Sequence, residues 1–121
     1  HPDVPHAYRS IGQPVLIPGD MGRCSYVLLG TQRAMAETFG SSCHGAGRVM
    51  SRTQAARCAK GRALDRELAG QGILVRAASR ETLAEEMPAA YKDVTEVVET
   101  VAAAGLAVKV VKLKPLAVIK G

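Results

Sequence analysis

Glycine and proline punctuate this chain so closely that no regular element in it can run long. Pro2, Pro5 and Pro14 oppose a helix and predict a loop leading into a short strand at 15–17. Pro18-Gly19-Asp20 reads as a turn, and the apolar run 24–29 as a buried strand. Segment 31–38 is ambiguous, with a short helix as the candidate. From 48 to 69 the pattern predicts a helix broken or bent near Gly61. Leu64 and Leu68 share a face there, and Gly70 and Gly72 end it. A strand at 73–77 and a short helix at 81–87, stopped at Pro88, follow. Asp93 with Glu96 three residues on resembles a capping box. Val94, Val97, Val98, Val101 and Ala102 then trace the stripe of an amphipathic helix, which Gly105 ends. Strands are expected at 106–113, where Lys109 and Lys112 interrupt the apolar run, and at 116–119, beyond Pro115. The class is therefore α+β, with mixed helices and strands and neither repeat nor clear linker.

With 121 residues the chain is one domain or part of one. Hydrophobic residues make up 47% and aromatics only 3%, so the core must be aliphatic. No run approaches the ~18 apolar residues of a membrane span, and no secretory pattern opens the chain. It begins at His1 without a methionine, which fits a processed or truncated product. A net charge of +5 favours polyanions, although a solvated basic surface explains it equally well. The three cysteines, Cys24, Cys43 and Cys58, form no CxxC pair. Free thiols in a reducing cytoplasm are the simplest reading, with Cys24 and Cys58 as buried small residues.

The segment Phe39-Gly-Ser-Ser-Cys-His-Gly-Ala-Gly-Arg48 carries the chemistry. It sets His44 among small residues, then a Gly45-Ala46-Gly47 turn where a ligand can approach the backbone. A helix beginning at Arg48 would aim free N–H groups at an anion and put Arg48 and Arg52 on one face. Guanidinium groups pair two phosphate oxygens at once, so both are candidate phosphate contacts. The neutral imidazole is a candidate nucleophile at neutral pH. A surface or structural histidine and a solvated arginine face are the plain alternatives. Cys43 beside His44 is a poor thiol nucleophile candidate, because the partner histidine of such a cysteine normally lies far away in sequence.

His44-Gly-Ala-Gly-Arg-x-x-Ser-Arg52, with Gly12-Gln-Pro-Val-Leu-Ile-Pro-Gly19 before it and Ala90-Tyr-Lys-Asp-Val94 and Val118-Ile-Lys-Gly121 after it, resembles the C-terminal part of the RtcB family of GTP- and manganese-dependent RNA-splicing ligases. The likeness runs over 2–121, with several motifs in order and spacing. Family proteins are much longer, so residues 1–121 are expected to be the C-terminal part of the catalytic domain. The resemblance implies that His44 attacks the α-phosphate of GTP and carries GMP. It implies nucleotide contacts from Ser25, Gly45, Ala46, Gly47, Tyr91 and Lys120, and phosphate contacts from Arg48 and Arg52. Asp20 departs from the serine or threonine expected in its turn. It could accept guanine N–H donors but would repel phosphate.

Bland roles stand beside these: a core ring for Tyr91 and a frayed terminus for Lys120. Leu116, Val118 and Ile119 look apolar enough to anchor that terminus. The resemblance further implies RNA substrates with a 3′-phosphate or 2′,3′-cyclic phosphate and a 5′-hydroxyl, in tRNA splicing and RNA repair, with archease as a candidate partner. The Mn²⁺ ligands are expected upstream; His1 and His6 are too loop-like to replace them, and the chain alone is expected to be inactive. A basic RNA-binding module without chemistry is the rival reading, and a phosphohistidine carrier a third.

Overall fold

The computed structural model describes residues 2–121, and His1 lies outside them. Two small sheets and five α-helices build two apolar clusters that meet along one seam.

The first cluster rests on strands β1 (Pro14–Ile17) and β2 (Ser25–Gly30), which pair antiparallel. Side chains alternate faces along a strand. Accordingly Tyr26 and Leu28 of β2 are buried and their neighbours half-exposed. Strand β4 (Ala107–Leu113) flanks β2 on its other side, giving the order β1-β2-β4. Between Val27 and Leu28 the register slips, so Val27 faces Val111 but Leu28 faces Lys109. Val110 is the extra residue of this bulge. Helix α5 (Val94–Ala103) completes the cluster. Of its predicted stripe, Val94 and Val98 are fully buried and Val101 packs partly. Each such valine contributes about 1.5–3 kcal/mol of burial. Asp93 caps the helix as expected but not through the expected box: its carboxylate accepts from Thr95 N, one residue before Glu96, at 2.8 Å.

The second cluster holds α2 (Arg52–Cys58), α3 (Leu64–Gly70) and α4 (Arg80–Glu85). They pack on β3 (Leu74–Ala77) and β5 (Ala117–Lys120), which run parallel. Its core is Ala55, Ala59, Leu64, Leu68, Ile73, Leu83, Met87 and Ala90, joined by Met21 from the β1–β2 loop. That loop therefore ties the clusters together, with Met21 in one and Cys24 in the other. Tyr91 packs against both.

Several expectations change. The ambiguous segment is helix α1 (Gln32–Thr38), because the Thr31 hydroxyl accepts from Ala34 N at 3.1 Å and caps it. The break expected near Gly61, whose φ is +80°, does separate two helices. The first turn expected at 48–51, however, is not helical. Arg48 bridges Tyr91, and the amides of Val49 and Met50 donate to Ala90 O at 2.8 and 3.3 Å. Ser51 caps the helix instead, and Arg52 is its first residue. Cys58 is exposed rather than buried, while Cys24 is buried as expected. In the tail only Val118 packs on a core; Leu116 and Ile119 are 80% and 85% exposed. Backbone pairing with β3 holds β5 where side-chain burial was expected to.

Candidate nucleotide site

The seam opens as a cleft of about 360 Å³. Four residues singled out from sequence line it together: Asp20, Ser25, Tyr91 and Lys120. They come from the β1–β2 loop, the start of β2, the segment before α5, and the end of β5.

Asp20 is fixed by its own turn. One carboxylate oxygen, Oδ1, accepts from the amides of Gly22 and Arg23, each at 2.9 Å. Its side chain is 0% exposed, and Arg23 Nη1 lies 3.2 Å from the other oxygen, Oδ2. That approach misses hydrogen-bond direction, so Oδ2 is buried with no hydrogen-bond partner. Oδ2 is thus ion-paired with Arg23 rather than hydrogen-bonded. Gly19 next to it is a close-contact position, since an added Cβ would stand 2.1 Å from Cys24 O.

The His44 segment runs along the Pro18 edge of the cleft. Ala46 N donates to Pro18 O at 3.1 Å, and Lys92 N donates to Gly47 O at 3.0 Å. Ala46 is buried, and Gly47 takes φ +74° in open space. His44 itself is exposed and is not among the cleft-lining residues. The loop therefore lies on the wall that holds Asp20, with its imidazole free at the surface.

Arg48 and Arg52 do not share a helix face, because Arg48 precedes the helix. Arg48 is committed internally. Its Nε donates to Met50 O at 3.0 Å, Nη2 to Glu85 O at 2.6 Å, and Nη1 to Tyr91 Oη at 3.1 Å. Its guanidinium also lies 4.9 Å from the Tyr91 ring centre. Arg52 is the open one, with 66% of its side chain exposed.

Sequence reasoning missed the residue on which these groups converge. Glu86 lines the cleft and receives the Tyr91 hydroxyl in a short hydrogen bond. Its Oε2 is 3.7 Å from Lys120 Nζ, and its Oε1 is 3.4 Å from Arg48 Nη1 and 4.0 Å from Arg52 Nε. Burial pushes this carboxyl up, but the Tyr91 hydrogen bond and then Lys120, Arg48 and Arg52 outweigh it and hold it below the usual range. Burial first, and the Glu86 carboxylate with it, raise the Tyr91 phenol, which stays a donor. No local motif announces Glu86, since its partners lie up to 38 residues away.

The cleft offers a hydroxyl at Ser25 and an ammonium donor at Lys120, beside the ion-paired Asp20 carboxylate. It does not suit a manganese ion: among the described residues no three His, Cys, Asp or Glu groups converge to hold a metal. A second, larger cavity of about 720 Å³ lies between the first loop, β1 and α1, and contains none of the expected site residues. No helix among the described residues is long and apolar enough to cross a membrane.

The sequence is similar to known proteins over its whole length. The sequence profile of the family described as tRNA-splicing ligase RtcB matches residues 1–121. A relative from Thermococcus kodakarensis carrying that name is 58% identical over all of this chain, which spans 25% of the relative. One from Pyrococcus horikoshii is 55% identical, and this chain covers 14% of it. One from Archaeoglobus fulgidus is 54% identical over 98% of this chain, again 25% of the relative. The profile spans every motif around the cleft, and this chain belongs to the tRNA-splicing ligase RtcB family.

Proposed function

We propose that residues 1–121 are the C-terminal part of the catalytic domain of a GTP-dependent RNA ligase, supplying its guanylylation site. The observation that supports this most is the cleft itself. Asp20, Ser25, Tyr91 and Lys120 line it, and its Pro18 edge is hydrogen-bonded to the His44 loop. In this reading the His44 imidazole attacks the α-phosphorus of GTP, an N–P bond forms, and pyrophosphate leaves. An oxygen of an RNA 3′-phosphate then takes GMP from the imidazole. A 2′,3′-cyclic end is first opened to that phosphate. The 5′-hydroxyl of the second RNA attacks the activated phosphate, a phosphodiester forms, and GMP leaves. Gly45, Ala46 and Gly47 give the nucleotide phosphate backbone access, and Arg52, backed by Arg48, supplies positive charge. Tyr91 and Lys120 with Ser25 and Asp20 hold the base. The manganese that the family uses would be held by upstream residues. The RNA ends, archease as partner and a cytoplasmic setting belong to the same proposal.

The test replaces His44 with Ala in the whole protein and adds labelled GTP with Mn²⁺. The protein adduct disappears while GTP binding and folding survive. RNA already capped with GMP at its 3′-phosphate is still sealed by the variant. Labelling that persists in His44→Ala, or maps to Lys120 or Lys92, overturns the assignment. Label that arrives as phosphate without guanosine identifies a phosphohistidine carrier instead. RNA binding with no label identifies a non-catalytic module.

A further inference from the structure

Glu86 occupies a place that helix stability does not explain. It caps the C-terminus of α4, where the helix field favours cations, and Glu85 sits beside it. Its backbone is pinned, since its amide donates to Thr82 O at 3.2 Å and the next residue, Met87, is 1% exposed. The carboxylate is thereby held at one point of the seam. Two donors of the cleft lining, the Tyr91 hydroxyl and the Lys120 ammonium, meet the same oxygen, Oε2. Lysine is a flexible point charge with no preferred direction of its own. At the end of a strand where Leu116 and Ile119 are exposed, β-pairing and this carboxylate fix it.

We propose that Glu86 is the positioning residue of the cleft: by accepting the Tyr91 hydroxyl and pairing with the Lys120 ammonium it fixes the Tyr91 ring and holds Lys120 as a donor in the cleft, and so sets affinity for a purine edge that presents an acceptor. The inference rests on the nucleotide reading above. Adenine carries an amino group where guanine carries an oxygen, so a fixed lysine donor favours guanine, and a loose one favours it less. The effect of Glu86 therefore passes through Lys120.

The experiment measures equilibrium binding of GTP and ATP to the whole protein and to its Glu86→Gln, Lys120→Met and double variants. Glu86→Gln weakens GTP by about tenfold, the scale of one charge-assisted hydrogen bond, and changes ATP by less than about twofold. In the Lys120→Met background the same change costs GTP less than about twofold, because the two residues act as one unit. Unchanged GTP affinity, equal loss for both nucleotides, or full additivity in the double variant overturns the proposal. Should Glu86→Gln not fold, Glu86→Asp keeps the charge, withdraws it by one methylene, and is read in the same way. Adduct formation is scored separately in the wild-type protein. Bound GTP without adduct refutes the histidine chemistry and leaves the Glu86 result standing. An adduct with unchanged affinity in Glu86→Gln refutes the role of Glu86 alone. A wild-type protein that binds no GTP refutes both.

Discussion

Gly19→Ala should damage this protein out of proportion to the one methyl it adds. The new Cβ would stand 2.1 Å from Cys24 O, 2.7 Å from Val94 Cγ1 and 3.1 Å from Val94 Cβ. Ordinary non-bonded carbon contacts lie at ~3.5–4.0 Å, so the turn has to move by about 1 Å or more. Neither neighbour can yield, since Cys24 is 2% and Val94 0% exposed and the nearest atom is backbone. Overpacking of this kind costs about 1–3 kcal/mol, and at so short a distance the upper part of that range applies. The displaced turn is the one that carries Asp20, whose Oδ1 is held by Gly22 N and Arg23 N. Thermal unfolding of the whole protein and equilibrium GTP binding should therefore fall together. Gly70→Ala is the control: it lies at the end of α3 with nothing within 4 Å of its added Cβ. It should be neutral or stabilising by up to about 1 kcal/mol. A Gly19→Ala protein within about 0.5 kcal/mol of wild type, with unchanged GTP affinity, would falsify the steric reasoning.

Three further outcomes follow from the same geometry. Because the Glu86 carboxyl is held below its ordinary value of 4.5, its stabilisation is complete above that value and is lost as pH falls through the folded one. Wild type and Glu86→Gln should thus differ in stability most above about pH 5 and converge on acidification, and a gap that widened in acid would contradict the ion-pair hub. Asp93→Ala should cost about 1 kcal/mol in thermal unfolding through loss of the Thr95 amide cap, and Asp93→Asn only a few tenths, with equal losses counting against the cap. Lys120→Met should lower guanylylation while leaving the melting temperature nearly unchanged, since its side chain is one-third exposed and its backbone pairing with Ala77 persists. Normal GMP transfer in that variant would show that the lysine is only a terminus.

Where local pattern set the structure, the sequence was sufficient to read it. The valine stripe of α5, the apolar strand β2 and the breaks at Gly61 and Pro115 are all short-range signals with one physical outcome. Four cleft residues were also legible, though through the family likeness rather than through spacing. What escaped was long-range. Residues 48–50 have helical company in sequence, yet their backbone is captured by Ala90 and Tyr91. The apolar look of Leu116 and Ile119 suggested burial, but β5 is an edge in which pairing does the anchoring. Glu86 was invisible because an ordinary glutamate at a helix end gains its meaning from Arg48, Tyr91 and Lys120.

The β4–β5 arm also governs when the site can exist. Residues 113–120 supply one wall of the cleft, and residues 16–25 another. They meet only after β4 has returned to β2, with Tyr26 opposite Lys112, and β5 to β3. Such distant pairings form late, because loop closure has to precede the contacts that reward it. A ribosome adding ~5–20 residues per second therefore exposes the His44 loop well before any cleft stands beside it. Nucleotide capture by this chain is in that sense a report that folding has finished.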